Sequence, residues 1–295
     1  MITNTQQKLG KTLWAIANNL RGIMMADDFR DYMLSFLFWK YLSDNYINAA
    51  KKELGLDYPE TPKDVMETLG VTTPLQIWYN ENPNDTLLFE RQMKRKVHYV
   101  IEPQYLWGNI VELARTQSDE LLLTLEEGFK YIENDSFDSS FKGLFSEINL
   151  SSEKLGKTYS ERNDLLTKVI KTIAEGLEES TSENDSLGDA YEFLIGQFAA
   201  GAGQKAGEFY TPSCIVRTIV EVLQPYQGRV YDPCCGSGGM FVQSAKFIKN
   251  HQKELSGISV YGQEANPSTW KMAHMNVAIR GLEANLGQSY ADTFF

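Results

Sequence analysis

One stretch restricts the fold more than any other. The β-prone residues Arg229-Val230-Tyr231 end at Asp232 and run straight into Pro233-Cys234-Cys235-Gly236-Ser237-Gly238-Gly239, after which Met240 and Phe241 open a helical pattern. Glycines so placed let the main chain turn sharply from strand to helix and let a ligand approach it closely. Gly257–Gly262 reads as a second strand ending near Glu264, and Pro267 opens another helix through Ile279. Strand, glycine turn, helix, strand and helix form the start of a doubly wound α/β sheet, whose ligands lie at the carboxyl ends of the strands. Glu264 follows Asp232 by 32 residues, and a carboxylate there can accept hydrogen bonds from both hydroxyls of a ribose.

Several nucleotide-like ligands share this geometry. A phosphate-binding Walker loop requires Gly-Lys-Ser/Thr, but Gly239 is followed by Met240; the dinucleotide fingerprint requires a third glycine where Phe241 stands. Upstream, Gly207-Glu208-Phe209-Tyr210-Thr211-Pro212 leads into a helix over Ser213–Leu223. There Thr211 is expected to cap and Pro212 to fill the first turn, with amides free to meet a carboxylate.

The remainder follows a different pattern. Leu9, Leu13, Ile16 and Leu20 share one helix face, and a second helix starts at Asp27-Asp28 and carries Phe29, Met33, Phe36, Leu37, Tyr41 and Leu42, wide enough for burial on two sides. Pro59, Pro62, Pro74 and Pro83 punctuate a loop-rich stretch with short helical pieces. Further helices are predicted over Trp107–Arg115, Ser118–Ile132 and Ser160–Leu177, the last capped by Ser160. The polar, acidic run from Glu178 to Ser186 is the best boundary. It separates an all-helical domain over 1–178 from an α/β domain over 187–295, which begins with a helix (Leu187–Ala200) and a glycine-rich loop (Gly201 to Gly207).

Charge limits the function. The chain carries a net −11, of which only −1 lies from Leu187 onward. DNA affinity depends largely on Lys and Arg at phosphates, so if DNA is the substrate another subunit or segment must supply much of the positive surface. The one dense basic run, Arg91, Lys94, Arg95, Lys96 and His98, reads either as a solvated helix face or as a phosphate-contacting edge. Cys214, Cys234 and Cys235 lack the paired spacing of a zinc site, so no metal is expected. His98, His251 and His274 have no acidic and nucleophilic company, which assigns them to surface or packing. No apolar run is long enough for a membrane span, and the first seven residues lack a secretory pattern, which points to the cytoplasm.

Three ordered motifs, Leu187-Gly188-Asp189-Ala190-Tyr191-Glu192, Gly207–Pro212 and Asp232–Phe241, closely resemble the modification subunit of type I restriction–modification systems. Leu13–Asn18, Leu20-Arg21-Gly22 and Phe38–Ser43 look like the helical N-terminal domain of the same family. The resemblance implies an adenine-specific DNA methyltransferase that uses S-adenosylmethionine. In fold it implies an all-helical N-terminal domain followed by an incomplete doubly wound, Rossmann-like methyltransferase domain. By the same resemblance Glu208, Phe209, Tyr210, Thr211, Pro212 and Ser213 match the motif at the methionine end of the cofactor. Asp232, Gly236, Ser237, Gly238 and Gly239 match the glycine motif beneath it; Glu264 matches the ribose acid and Asp292 the aspartate near the adenine amine.

Catalysis in that family depends on Asn-Pro-Pro-Phe or Asn-Pro-Pro-Tyr at the end of a later strand, which receives a flipped-out adenine. These 295 residues contain no Pro-Pro, so no catalytic residue is assigned and the chain is expected to be an inactive fragment. The family also implies partners: a specificity subunit that reads double-stranded DNA and a restriction subunit that cleaves it. Two alternatives remain: another S-adenosylmethionine-dependent methyltransferase with the same cofactor half, and a cofactor-binding or assembly module without activity.

Overall fold

The structure is a computed structural model, and it describes residues 14, 26–61, 65–66, 70–135, 143–145, 148–178, 184–202, 209–251 and 257–294. The helix expected over Leu9–Leu20 lies outside the described residues apart from Trp14, as do Pro62, Gly203–Gly207 and Glu208. The chain divides into two compact units, Ser35–Glu178 and Met1–Leu34 with Glu179–Phe295. The division falls inside a 29-residue helix, α1 (Ala26–Leu54).

The Ser35–Glu178 unit is helical throughout its described residues. After α1 come α2 (Pro74–Glu81), α3 (Thr86–Val97), α4 (Trp107–Arg115), α5 (Leu121–Asp135) and α6 (Tyr159–Glu178). Phe36, Leu37, Phe38 and Trp39 are all fully buried, so this part of α1 is enclosed on every side. Trp39 donates its indole N–H to the Tyr105 carbonyl at 2.8 Å. Its ring fills the space a Cβ on Gly128 would need, 2.5 Å away. Asn163 of α6 closes the start of α5, accepting the Leu122 N–H at 2.9 Å and donating to the Ser118 carbonyl at 2.9 Å.

One helix start differs from expectation. Ser160 does not cap α6. Thr158 accepts the Glu161 N–H, while the Glu161 carboxylate reaches back to the amides of Thr158 and Lys157, a reciprocal capping box that sets the helix start two residues earlier. The proline-rich stretch holds short helical pieces as expected, among them α2, which starts where Thr73 caps and Pro74 takes the first turn. The basic run lies on α3, with Lys96 paired to Glu53 and Arg91 and Arg95 exposed.

The other unit holds α7 (Asn184–Ala202), α8 (Ser213–Leu223), β1 (Gly228–Asp232), α9 (Gly239–Asn250), β2 (Ile258–Gly262), α10 (Pro267–Ile279) and the two-residue β3 (Ala284–Asn285). The strands form one parallel sheet in the order β1-β2-β3, with Asp232 opposite Gly262 and Val260 opposite Ala284. Strand residues alternate between faces. Val230 and Val260 join Val216, Val220, Phe241, Phe247, Ile248, Trp270, Ala273 and Val277 in the core, so α8, α9 and α10 gather on one side of the sheet. The paired Tyr231 and Tyr261 lie on the opposite face, 58% and 38% exposed.

Among the described residues no helix is long and apolar enough to cross a membrane, and no group of three or more His, Cys, Asp or Glu could hold a metal ion. His274 is buried with its ring edge-on to Trp270, and the His251 ring bonds the Phe247 carbonyl.

Candidate functional site

Parallel pairing in register brings the ends of β1 and β2 together, and main-chain bonds continue beyond the strands. The Gln263 amide donates to the Asp232 carbonyl at 3.0 Å, and the Cys235 amide to the Gln263 carbonyl at 2.9 Å. Asp232 turns its own carboxylate onto the Cys234 N–H at 3.1 Å. These bonds set the position from which the glycine loop departs.

Within the loop two glycines are obligatory. Gly236 has φ +54°, and a Cβ there would lie 3.0 Å from the Phe209 carbonyl oxygen. Gly238 has φ +79° and is the N-cap of α9, with no side-chain hydrogen bond covering the helix start. Between them the Ser237 amide donates to the Phe209 carbonyl at 2.9 Å. The Ser237 carbonyl accepts from the buried Asn276 side chain at 2.8 Å. Phe209 therefore lies along one side of the loop and α10 beneath it.

Glu264 closes the crevice. It is 8% exposed, and its two carboxylate oxygens accept the Gly236 N–H at 3.1 Å and the Asn266 N–H at 2.8 Å. Beyond it the 291–293 segment crosses the strand ends. Ala291 donates to the Glu264 carbonyl at 2.8 Å, Gln263 to the Asp292 carbonyl at 3.3 Å, and Thr293 to the Pro233 carbonyl. Asp232, Gly236–Gly239, Glu264, Asp292 and Phe209 are thus brought together at the carboxyl ends of β1 and β2.

The rest of the Phe209–Ser213 motif is arranged differently. Tyr210 is half-buried against Gly196 of α7, where a Cβ would be 3.0 Å from the phenol oxygen. Thr211, Pro212 and Ser213 stay exposed at the head of α8. Thr211 does not cap that helix. Pro212, still extended at ψ 134°, is itself the N-cap, which leaves the threonine one residue too early to reach the first-turn amides. Glu208 lies outside the described residues.

The surroundings of both loop thiols disfavour the thiolate. Burial, followed by the Asp232 and Glu264 carboxylates, raises Cys234 and pushes Cys235 up to about 12. Sequence reasoning missed Asn276, Asn266 and Arg30. Asn276 is a polar residue amid the buried Met272, Ala273, Met275 and Val277 of α10, and that interruption was a usable signal. Asn266 caps α10 by accepting the Thr269 N–H at 3.1 Å. Arg30 lies 5.4 Å from the Phe209 ring centroid, a cation–π contact between residues far apart in sequence.

Two family descriptions match the chain: HsdM N-terminal domain over residues 9–173 and N-6 DNA Methylase over 182–295. The chain belongs to the type I restriction–modification methylase subunit family. Its similarity to the MpnII methylase subunit of Mycoplasma pneumoniae is 31% identity over 98% of this chain and 53% of that protein. With the HindI methylase subunit of Haemophilus influenzae it is 38% over 58% of this chain and 38% of that protein. The crystal structure of a type I methyltransferase subunit from Streptococcus thermophilus superposes with a TM-score of 0.78 at 30% identity, covering 96% of this chain and 58% of that one. The chain spans about half the length, or less, of the curated relatives it matches.

Proposed function

We propose that this chain carries the S-adenosylmethionine-binding half of a subunit that methylates the exocyclic amine of adenine in double-stranded DNA. The observation that carries the reading is the glycine loop braced against a buried acid at the ends of two neighbouring parallel strands. The residues fit that cofactor. The loop follows a path that a Cβ at Gly236 would block, the head of α9 has no side-chain cap, and Glu264 keeps lone pairs beyond the two it gives to amides. When bound, the cofactor supplies an electrophilic methyl group on a sulfonium.

The chain's own residues hold and orient it. Glu264 would accept the ribose hydroxyls, Asp292 would meet the adenine amine, and the Gly236–Gly239 main chain would floor the methionine end. The Phe209–Ser213 stretch would flank that end, and the motif match extends in sequence to Glu208. Such positioning supplies much of the rate in direct methyl transfer.

The adenine-receiving Asn-Pro-Pro-aromatic motif is not in these 295 residues. The chain by itself therefore binds cofactor without turnover, as a cytoplasmic component that works with a specificity subunit and a restriction subunit. The net charge of −11 agrees with base readout being delegated to a partner.

Titration calorimetry tests the cofactor reading. S-adenosylmethionine should give a binding isotherm with this chain and a much weaker one with Glu264→Ala. Equal affinities remove Glu264 from the site, and no binding by the folded, unaltered chain overturns the reading. Transfer of labelled methyl groups to unmethylated DNA by this chain, with or without a specificity subunit, would overturn the claim that these residues lack the catalytic motif needed for turnover.

A further inference from the structure

Two carboxylates and two cations fasten α7 to α9 and α10 without touching the crevice. Asp189 and Glu192 sit one turn apart on α7. Lys246 of α9 places its Nζ 3.1 Å from Asp189 and 2.8 Å from Glu192. Arg280, the C-cap of α10, places its Nη2 2.6 Å from Asp189 and 3.3 Å from Glu192. The Arg280 side chain is only 5% exposed. Gly188 makes room for it, since a Cβ there would fall 2.6 Å from the guanidinium Nε. Burial raises the Asp189 carboxyl, but Arg280 and Lys246 outweigh it and hold the group below its ordinary value.

Stability alone is a poor account of such a group, because well-packed apolar residues of similar volume often serve a buried position as well or better. What four matched charges supply is register: they are all paired only when α7 sits at one height on α9 and α10. That height bears on the crevice. Gly196, one turn beyond Glu192, receives Tyr210, and the neighbouring Phe209 carbonyl holds the Ser237 amide and abuts Gly236. Glu192 is also close enough to add to burial in raising the Tyr210 phenol.

We infer that Asp189, Glu192, Lys246 and Arg280 form a positioning clamp that sets α7, and through Tyr210 and Phe209 the glycine loop, in the register cofactor binding requires. This rests on the cofactor reading above.

Two variants of the full chain separate register from stability. One combines Asp189→Leu, Glu192→Leu, Lys246→Met and Arg280→Met; the other is Lys246→Met alone, which leaves Arg280 to pair with both carboxylates. Hydrogen exchange is followed at the bonded amides of Cys235, Ser237 and Gly238, with the α9 amides of Val242–Ile248 as reference. The loop amides should exchange about tenfold faster, and S-adenosylmethionine should bind about tenfold more weakly, mid-range for residues acting in one network. The α9 amides should keep their rates.

Unchanged loop exchange overturns the clamp. So does loop and α9 exchange rising together, which marks lost stability without lost register. If the quadruple variant does not fold, the Lys246→Met result decides alone. Failure of the unaltered chain to bind S-adenosylmethionine overturns the cofactor reading, whereas the exchange readout of the clamp requires no ligand.

Discussion

Glu264→Ala should weaken the unit that contains the crevice even with no ligand present. The carboxylate accepts two main-chain amides, Gly236 at 3.1 Å and Asn266 at 2.8 Å. Asn266 is exposed, so water replaces its lost acceptor, whereas Gly236 is half-buried beside the Phe209 carbonyl. Counting only the Gly236 bond, a hydrogen bond to a charged acceptor stabilises by about 1.5–3 kcal/mol, so the loss should be about 2 kcal/mol. With a urea slope of about 2 kcal/mol per M, the midpoint should fall by about 1 M. Glu264→Gln should not restore it fully, because an amide has one acceptor oxygen and turns an N–H donor toward the second amide. The assay is urea unfolding followed through Trp270, which lies in the core of this unit, without cofactor. Midpoints for Ala and Gln within about 0.2 M of the unaltered chain, at unchanged slope, would refute the claim that this acid braces the loop.

Four further outcomes follow from the structure. Gly236→Ala, at φ +54° with its Cβ 3.0 Å from a carbonyl oxygen, should cost more than the about 1–2 kcal/mol of a left-handed backbone alone and abolish cofactor binding. Gly281→Ala, at φ +64° with nothing within 4 Å, should show only the backbone cost in the same melts. Maleimide mapping at pH 8 should label Cys235 only on unfolding, and exposed Cys234 more slowly than a free cysteine, since both thiols are raised. Asp189 is held below its ordinary value near 3.8, so its contribution to stability is complete above that pH and is lost as pH falls through the lower folded value. Acid titration of Asp189→Asn should lack that share of the destabilisation below pH 3.8.

What the sequence discloses here depends on whether the signal is local. The helices Trp107–Arg115, Ser213–Leu223 and Pro267–Ile279 were readable to the residue, being bounded by prolines, turn residues and clear periodicity. β3 was not, because two residues cannot display an alternation. Identical dipeptides behave differently: Thr73-Pro74 caps and starts α2, whereas at Thr211-Pro212 the proline remains extended and becomes the cap. That difference does not reside in the dipeptide. It arises where Phe209, just upstream, is tied to Ser237 by a main-chain bond spanning 28 residues. The crevice divides likewise. Asp232, the glycines and Glu264 are legible as residue types at strand ends, but the partners of Glu264 and the carbonyl that shapes Gly236 belong to main-chain geometry.

The placement of Glu264 also bears on affinity. A carboxylate has about four lone-pair sites; Gly236 and Asn266 take one on each oxygen, which leaves one on each for two neighbouring hydroxyls of a sugar. Because both amides hold the group with no ligand present, on the proposed cofactor reading little side-chain freedom would remain to be lost on binding, which would lower the cost of association. Charge and bracing can be separated. Glu264→Asp keeps the charge but draws the carboxylate back by roughly one bond length, about 1.5 Å. An aspartate readily accepts the amide two residues on, as Asp232 does from Cys234 at 3.1 Å, so the Asn266 bond survives and the Gly236 bond does not. If pre-ordering matters, Glu264→Asp should bind S-adenosylmethionine markedly more weakly despite its intact charge, with the Gly236 amide exchanging faster. Affinity equal to that of the unaltered chain, together with faster exchange at Gly236, would mean that charge alone recognises the sugar and that the brace serves only the fold.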